Sequence, residues 1–295
     1  MDAGDLRVFE AVARLGAMNR AAEELHTVQS NVTARIRQIE TELGTALFER
    51  HSRGVVPTAA GRRLLPYAER VRLLLAEARR VVKDDGEPAG TLAIGSLETT
   101  AGLRLPPLLA QYAAAYPAVD LSLVTGTTAA LVKEVLDHRL DGAFVCGPVE
   151  HDELVEERAF REELVALTSP RIASLDALFG ERDLKIIVFR IGCSYRQRLE
   201  AILAGRGLIV TRSLEFGTIE GILGCVGAGI GVSLLPRAVV AEAARDGRIA
   251  LHALPPAEAQ VDTVFVRRRD GFASSALKAF LALARPLRVR SEAAE

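Results

Sequence analysis

With 295 residues, 49% of them hydrophobic and 25% charged, the chain is long enough to bury a full core, and we expect two globular domains rather than one. No stretch reaches the ~18 apolar residues of a membrane span, and the start of the chain lacks the apolar run of a signal peptide, so we expect a cytoplasmic protein. The net charge of −1 combines a basic first part, net +4 over residues 1–83, with a remainder of net −5.

The first part of the chain carries the periodicity of short helices. Leu6, Phe9 and Ala13 recur at helical spacing and predict a first helix that ends near Gly16. In the stretch AAEELHTVQSNVTARIRQIETELG, a second helical pattern breaks at 26–28 and a third follows. The apolar positions of these two helices are Ala21, Ala22 and Leu25, and then Val32, Ile36, Ile39 and Leu43. Three short helices with a tight break before the third are typical of a helix-turn-helix.

The third predicted helix presents a polar side opposite its apolar one. A step of about 100° per residue turns Ser30, Ala34 and Arg37 away from the apolar face, with Asn31 and Thr33 beside them. Small polar side chains let a helix approach a DNA groove, where hydroxyl and amide groups bind base edges and a methyl group contacts thymine. A merely solvated helix face has the same composition, so the pattern alone leaves both interpretations open.

A turn-rich segment, LFERHSRGVVPTAAGRR, follows the third helix. It places Arg50, His51 and Arg53 in a predicted hairpin that ends at Pro57, and Thr58 is positioned to cap the next helix. Guanidinium groups on such a wing would contact phosphates or the minor groove. The hairpin therefore favours the DNA-binding interpretation of the third helix.

These residues resemble the LysR-type transcriptional regulators. The resemblance is carried by LRVFEAVARLGAMNRAAEELHTVQSNVTARIRQIETELGTALFER, followed by PTAAG. It implies a winged helix-turn-helix with DNA contacts at Gln29, Ser30, Thr33, Ala34, Arg35, Arg50 and Arg53, to which the helix pattern adds Asn31 and Arg37. Many members have Ser at the position of Val28, so Thr27 is expected to provide the helix cap here. Many also have Arg where this chain has Ala34.

From Thr58 to about Val82, apolar residues recur at three- and four-residue spacings. They are Leu64, Leu65, Ala68, Val71, Leu75, Ala78 and Val82. An amphipathic helix of this length is too long to be covered by three short helices, so its stripe predicts pairing with a second copy, and a two-fold dimer suits a palindromic site. Packing on the chain's own C-terminal domain stays open. The polar segment 83–90, KDDGEPAG, is predicted to be a hinge.

Beyond the hinge, strand and helix patterns alternate, which predicts an α/β fold with two largely parallel sheets and crossover helices. Ligands collect at the carboxyl ends of parallel strands, beside helix N-termini. Polar residues at the predicted strand ends are therefore candidate effector-binding positions: Ser96, Thr99, Thr100, Thr127, Thr128, Cys146, Ser194, Tyr195, Arg196 and Thr218. Arg196 is the strong positive charge of this set and favours a small polar or anionic effector, such as a carboxylate. Ordinary helix capping is the alternative for each hydroxyl.

The resemblance to LysR-type regulators continues through LPPLLAQYAAAYPAVDLSLVTG, LVKEVLDHRLDGAFV and GILGCVGAGIGVSLLP. It implies a two-lobed α/β effector domain of the periplasmic-binding-protein type, with a cleft between the lobes and dimers that pair into tetramers. The expected organisation is a DNA-binding domain at 1–58, a linker helix and hinge at 59–90, and an effector domain at 91–295, with lobe one at 91–166 plus 267–295 and lobe two at 167–266. The expected partners are double-stranded promoter DNA, a small-molecule effector and further copies of the chain, without a cofactor, a metal or a membrane.

Other classes of protein fit the sequence less well. The segment GAGIG follows a predicted helix and opens a strand, the reverse of the dinucleotide-binding order, and the five histidines lack catalytic or metal-binding spacing, so no enzyme is predicted. A solute-binding protein for uptake would need a signal peptide and would have no use for the basic helices at the start of this chain. A thiol redox- or metal-responsive regulator stays open, because Cys146, Cys193 and Cys225 are predicted near the cleft and Arg196 is placed to lower the pKa of Cys193. Three cysteines without CxxC spacing predict free thiols rather than a disulfide framework.

Overall fold

The computed structural model describes residues 1–51, 54–178, 184–208 and 210–292. The chain divides into an N-terminal unit, Met1–Asp84, and a C-terminal unit, Asp85–Glu295. Within the described ranges, no helix is both long and apolar enough to cross a lipid bilayer.

The N-terminal unit begins with the three predicted helices: α1 (Ala3–Leu15), α2 (Met18–Glu24) and α3 (Gln29–Leu43). Helix α1 ends at Gly16, whose φ of 68° lies in the left-handed region that glycine adopts without strain. Phe9 and Ile36 are fully buried between the helices. The prediction that Leu43 shares the apolar face is wrong, since it is 42% exposed: α3 ends at this residue and the chain turns away at Gly44.

A hairpin and a long helix complete the N-terminal unit. Strands β1 (Phe48–His51) and β2 (Gly54–Pro57) pair antiparallel and form the predicted wing. Helix α4 (Ala59–Lys83) follows, 25 residues long, and Thr58 caps it as predicted, because its Oγ1 accepts the Gly61 N–H at 3.1 Å. Several large apolar side chains of α4 are exposed: Tyr67, Leu74, Leu75, Val81 and Val82.

The C-terminal unit alternates strands and helices in its first lobe and then crosses into a second. The first lobe contains β3 (Gly90–Ser96), α5 (Glu98–Leu103), α6 (Leu105–Ala115), β4 (Val119–Thr125), α7 (Thr128–Leu136), β5 (Gly142–Cys146) and the first part of β6 (Leu154–Thr168). The second lobe contains a short 3-10 helix (Leu175–Leu178), β7 (Leu184–Phe189), α8 (Ser194–Gly205), β8 (Val210–Phe216), α9 (Ile219–Gly227), β9 (Ser233–Pro236), α10 (Arg237–Arg245) and β10 (Ala250–His252). The chain returns to the first lobe through α11 (Pro256–Ala259), β11 (Gln260–Arg268) and α12 (Ser275–Glu292).

Strand β6 belongs to the sheets of both lobes. Its first part pairs with β11, which pairs with β5, and β3 and β4 complete the sheet of the first lobe. Its last residues pair with β9 and β10 in the second lobe, where β7 and β8 form a separate parallel pair. An isolated bridge from Ile186 to Val232 brings β7 beside the β9 strand. The two lobes are therefore joined by a continuous hydrogen-bonded ladder.

The expectation of largely parallel sheets is correct for only part of the unit. The pairs β3–β4, β3–β5 and β7–β8 are parallel, because helices connect their strands. Strands β6 and β11 pair antiparallel with each other. Because β11 already pairs with β5, the residues from Gln260 lie in the sheet of lobe one. The expected end of lobe two at residue 266 thus falls inside a strand of lobe one.

The last helix packs on the first lobe, as the family likeness implied. Phe280 is fully buried and its ring contacts Tyr112 with a centroid distance of 5.4 Å. The Tyr112 hydroxyl donates to the carbonyl of Ala276 at 2.9 Å, so the buried phenol is satisfied by α12 itself.

His252 predicts how the stability of the C-terminal unit depends on pH. Burial lowers the pKa of His252 below its usual range, and its Nε2 lies 2.7 Å from the Thr168 hydroxyl oxygen. The folded state therefore binds fewer protons than the unfolded state as pH falls below about 6.5, and unfolding becomes easier. Urea unfolding of this unit is to be measured at pH 7.5 and at pH 5.5. The free energy of unfolding should fall more between these two pH values for the native chain than for His252→Gln. Equal losses in the two proteins would contradict this assignment.

Candidate functional site

Helix α3 displays the predicted polar face. Val32, Ile36 and Ile39 are buried against the rest of the N-terminal unit. Of the predicted DNA contacts on this helix, Thr33 is half-buried and the others are exposed: Gln29, Ser30, Asn31, Ala34, Arg35 and Arg37. The sequence pattern therefore placed these side chains on the accessible side of the helix.

The N-terminus of α3 has no side-chain cap. Val28 is the N-cap residue, and the Thr27 hydroxyl accepts from the Asn31 side-chain amide at 3.1 Å instead of from the helix backbone. The expectation that Thr27 provides the cap is wrong, because its hydroxyl is held by this side chain. Within the described part of the chain, the N–H groups of Gln29 and Ser30 have no hydrogen-bond acceptor. Two donors are thus left at the positive end of the helix dipole.

Arg35 has a structural partner that the sequence did not reveal. Its Nη1 donates to Asp5 Oδ1 at 2.8 Å, and Asp5 is only 5% exposed. Arg35 itself stays half exposed, so its guanidinium both pairs with a carboxylate of α1 and faces solvent. Helices α1 and α3 are tied together at this point.

The wing is attached to α3 through a carboxylate. Glu40 Oε1 accepts the backbone N–H groups of Leu47 and Phe48 at 2.8 and 3.2 Å. Arg50 is exposed on β1, opposite Val55. Arg53, also predicted to contact DNA, lies outside the described residues. Glu40 was not singled out from the sequence, because its partners lie beyond the helix.

A cavity of about 400 Å³ lies between the two lobes of the C-terminal unit. Lobe one contributes Leu97, Glu98, Thr99, Thr125, Gly126, Thr127 and Ala130, and lobe two contributes Phe189, Arg190, Ile191, Cys193, Tyr195, Phe216 and Gly217. The cavity therefore lies at the ends of β3, β4, β7 and β8, where the alternating pattern predicts a ligand.

The lobes touch each other beside this cavity. The Ala129 N–H, in the first turn of α7, donates to the Gly192 carbonyl at 3.3 Å. The Ser194 hydroxyl donates to Thr128 Oγ1 at 3.2 Å. Gly192 has a φ of 93°, and a Cβ there would lie 2.9 Å from Thr127 Oγ1, so glycine permits the close approach.

Three of the ten predicted effector residues line the cavity, namely Thr99, Thr127 and Tyr195. The other seven are Ser96, Thr100, Thr128, Cys146, Ser194, Arg196 and Thr218. Several of these hydroxyls have structural partners: Ser96 donates to the Leu97 carbonyl, and Thr218 caps α9 by accepting the Gly221 N–H. Thr127 combines both roles, since it also caps α7. For Thr127 and Thr218 the helix-cap alternative describes what the hydroxyls do.

Arg196 does not supply the charge of the cavity. Its guanidinium pairs with Glu200 at 3.1 Å and Glu215 at 2.5 Å, and it also donates to Ser213. These partners hold Arg196 between α8 and β8, beside a different surface depression. Arg190 is the arginine that lines the cavity, and the sequence analysis missed it. Its position one residue after the end of β7 was the available signal.

Three polar side chains of the cavity differ in how they are held. Thr99 is 3% exposed, and its hydroxyl interacts with the hydroxyl of Tyr195. The side chains of Glu98 and Arg190 form no ion pair or hydrogen bond within the described ranges.

The three cysteines lie in the C-terminal unit and are at least partly buried. Cys146 and Cys193 are buried and Cys225 is half-buried, and all three are free thiols. Burial raises the pKa of Cys146 and of Cys193, outweighing the smaller opposing effect of Arg196 on Cys193. Arg196 does lower the pKa of Cys193, as expected, but burial has the larger effect, so the pKa is raised overall. In the part of the chain that is described, no three His, Cys, Asp or Glu side chains gather as a metal site would require.

Comparison with known families matches both parts of the chain. Residues 3–62 match the bacterial regulatory helix-turn-helix protein of the lysR family, and residues 85–287 match the LysR substrate binding domain. The chain belongs to the LysR family of transcriptional regulators. This LysR-type regulator thus combines a DNA-binding helix-turn-helix with an effector-binding domain, as the resemblance implied.

Relatives match this LysR-type regulator over nearly all of its length. It is 45% identical to the transcriptional regulator GltR of Bacillus subtilis over 94% of this chain and 93% of the relative. It is 40% identical to the transcriptional regulator CzcR of Bacillus cereus over 95% of this chain and 96% of the relative.

Solved structures show the same fold at low identity. Full-length CbnR complexed with its target DNA matches with a TM-score of 0.66 and 24% identity, over 97% of this chain and 100% of that one. Full-length OxyR from Pseudomonas aeruginosa matches with a TM-score of 0.65 and 20% identity, over 98% and 95% of the two chains.

Proposed function

We propose that this LysR-type regulator acts in the cytoplasm by binding rather than by catalysis, and that a small polar or anionic effector in the inter-lobe cavity modulates its grip on promoter DNA. The observation that carries the effector proposal is Arg190, whose guanidinium has no ion-pair partner in the described part of the chain and lines a cavity large enough for a small molecule. The effector domain of the family supports the same conclusion.

The exposed face of α3 is proposed to read the DNA. Ser30, Asn31 and Gln29 offer hydroxyl and amide groups for base edges, and the Ala34 methyl group suits a thymine. The unpaired N–H groups at the start of α3 and the exposed guanidinium of Arg50 suit phosphates. Arg35, whose side chain is half exposed, contributes a further positive charge beside this face.

The long helix α4 is proposed to pair two copies of the chain. Leu74, Leu75, Val81 and Val82 are exposed on it, and Val82 is 87% exposed. A solitary protein rarely leaves such a series of apolar side chains in water, so pairing with the same helix of a second copy would remove them from solvent. Dimers of this kind would present two reading helices to a palindromic site and would pair further into tetramers.

The effector is proposed to act through the angle between the lobes. A ligand that contacts both lobes favours one cleft angle over others. We propose that the segment 83–90 transmits this change, so that the spacing of the paired reading helices and the bend of the promoter follow.

Promoter binding by the purified protein tests this function. Oligonucleotides from upstream of its own coding region should be retarded in a gel at low salt. Six to ten phosphate contacts per dimer would lower the affinity by about 10³–10⁵ between 50 and 200 mM salt. The function is refuted if no upstream oligonucleotide is bound even at millimolar ionic strength. Footprints that are identical with and without a bound effector would refute only the coupling.

A further inference from the structure

The inter-lobe cavity carries one acidic and one basic side chain that do not neutralise each other. Glu98 lies at the start of α5 in lobe one and is half-buried, and Arg190 follows β7 in lobe two. Both line the cavity, and neither has an ion-pair partner among the residues that the structure describes. Other charges of this unit are paired, such as Arg104 with Glu162 and Arg237 with Glu163. A molecule that pairs both groups at once would need a positive and a negative charge of its own.

The walls of the same cavity are apolar. Phe189 and Phe216 end neighbouring parallel strands and are opposite each other in the register of that pair. Leu97 contributes an apolar side chain from lobe one, and Ile191 is 77% exposed beside Arg190. Burying an apolar group against these residues would remove both its surface and theirs from water.

We propose that the effector is an α-amino acid with an apolar side chain. Its carboxylate pairs with Arg190, its ammonium group pairs with Glu98, and its side chain packs on Phe189 and Phe216. The Oγ1 of Thr99, next to Glu98 on the wall of the same cavity, offers a further polar contact to one end of the molecule. This inference rests on the proposed function, because it identifies the chemistry of the molecule that occupies the effector cavity.

The charges of the cavity discriminate between classes of ligand. A simple carboxylate would satisfy Arg190 and leave Glu98 unpaired beside a second negative charge. An amine without a carboxylate would satisfy Glu98 and leave Arg190 unpaired. Only a zwitterion pairs both groups, so the unpaired charges provide specificity as well as affinity.

Titration calorimetry with matched compounds tests the inference. L-leucine and L-phenylalanine are compared with isocaproate and hydrocinnamate, which lack the ammonium group, and with isoamylamine and phenethylamine, which lack the carboxylate. We expect at least one amino acid to bind about tenfold or more tightly than either of its analogues.

Two variants test which charge of the ligand Glu98 and Arg190 each bind. Glu98→Gln should weaken binding of the amino acid about tenfold and leave binding of the matching carboxylate unchanged or tighter, whereas Arg190→Gln should weaken both. Arg196→Gln is the control, because this paired arginine lies off the cavity, and it should leave the affinity for the amino acid unchanged.

The outcomes separate this inference from the proposed function. One outcome is that carboxylates bind as tightly as amino acids and that Glu98→Gln changes neither affinity. The effector is then not a zwitterion, but the proposal of an anionic effector stands. If none of the amino acids binds, the inference is overturned. Only a failure to bind upstream oligonucleotides, which is a separate experiment, would refute the DNA-binding function.

Discussion

Ser30→Glu is expected to abolish promoter binding and leave the N-terminal unit folded. Ser30 is exposed in the first turn of α3, where an acidic side chain interacts favourably with the helix dipole. Facing DNA, the same carboxylate would meet phosphates and base acceptors, and the hydroxyl contact would be lost. We expect the affinity for an upstream oligonucleotide to fall by about 100-fold or more, measured by fluorescence anisotropy at low salt.

A matched variant separates this local effect from the change in net charge. Gln111→Glu adds the same charge at an exposed position of helix α6 in the C-terminal unit, and its affinity for DNA should stay within about twofold of the native value. Circular dichroism should show unchanged helix content in both variants. If Ser30→Glu binds DNA as tightly as Gln111→Glu, the face of α3 is not the reading surface.

Gly61→Ala is expected to destabilise the N-terminal unit severely. Gly61 lies in the first turn of α4, and a Cβ there would lie 2.2 Å from the carbonyl oxygen of Leu47. That oxygen also accepts the Thr58 N–H at 2.9 Å, so it is fixed where the wing begins. Backbone cannot rearrange as a flexible side chain does, and α4 must shift on the wing. We expect a loss of about 3 kcal/mol or more in the free energy of unfolding of this unit.

The chain offers a control for Gly61→Ala. Gly102 also lies in a helix, α5, and a Cβ there would meet no atom within 4 Å. Gly102→Ala should therefore stabilise the protein by about 0.5–1 kcal/mol, through the lower entropy of the unfolded chain. Urea unfolding measures both changes, and hydrogen exchange of the α1–α3 amides locates the effect of Gly61→Ala in the N-terminal unit. Protection of these amides at the native level in Gly61→Ala would contradict the predicted clash.

Local sequence patterns predicted most of the secondary structure of the N-terminal unit. The spacing of Val32, Ile36 and Ile39 predicted which face of α3 is buried, and Thr58 predicted the start of α4. Helical periodicity and capping act between residues that are a few positions apart, so their outcome hardly depends on the rest of the chain. Thr27 shows the limit of this reasoning, because the Asn31 side chain competes for the same hydroxyl.

In the C-terminal unit, the sequence located the inter-lobe cavity but did not identify its charged residues. Polar residues at strand ends predicted where a cavity would lie, and Thr99, Thr127 and Tyr195 do line it. Arg190 and Arg196 lie six positions apart, Arg190 just after β7 and Arg196 in the first turn of α8, and local sequence separates their roles only in part. Glu200 lies one helical turn from Arg196 and was a readable partner, but Glu215 reaches it only from the neighbouring strand.

The sequence by itself determined that this protein is a LysR-type regulator with an exposed polar helix for DNA and an α/β domain for an effector. Only the tertiary structure decided that β6 runs through both lobes and that Arg196 is neutralised. It also decided that Glu98 and Arg190 line one cavity and find no ion-pair partner among the described residues. The reason is the range of the interactions. Helices follow from neighbours along the chain, whereas pairing of strands and of charges joins residues that only the folded chain brings together.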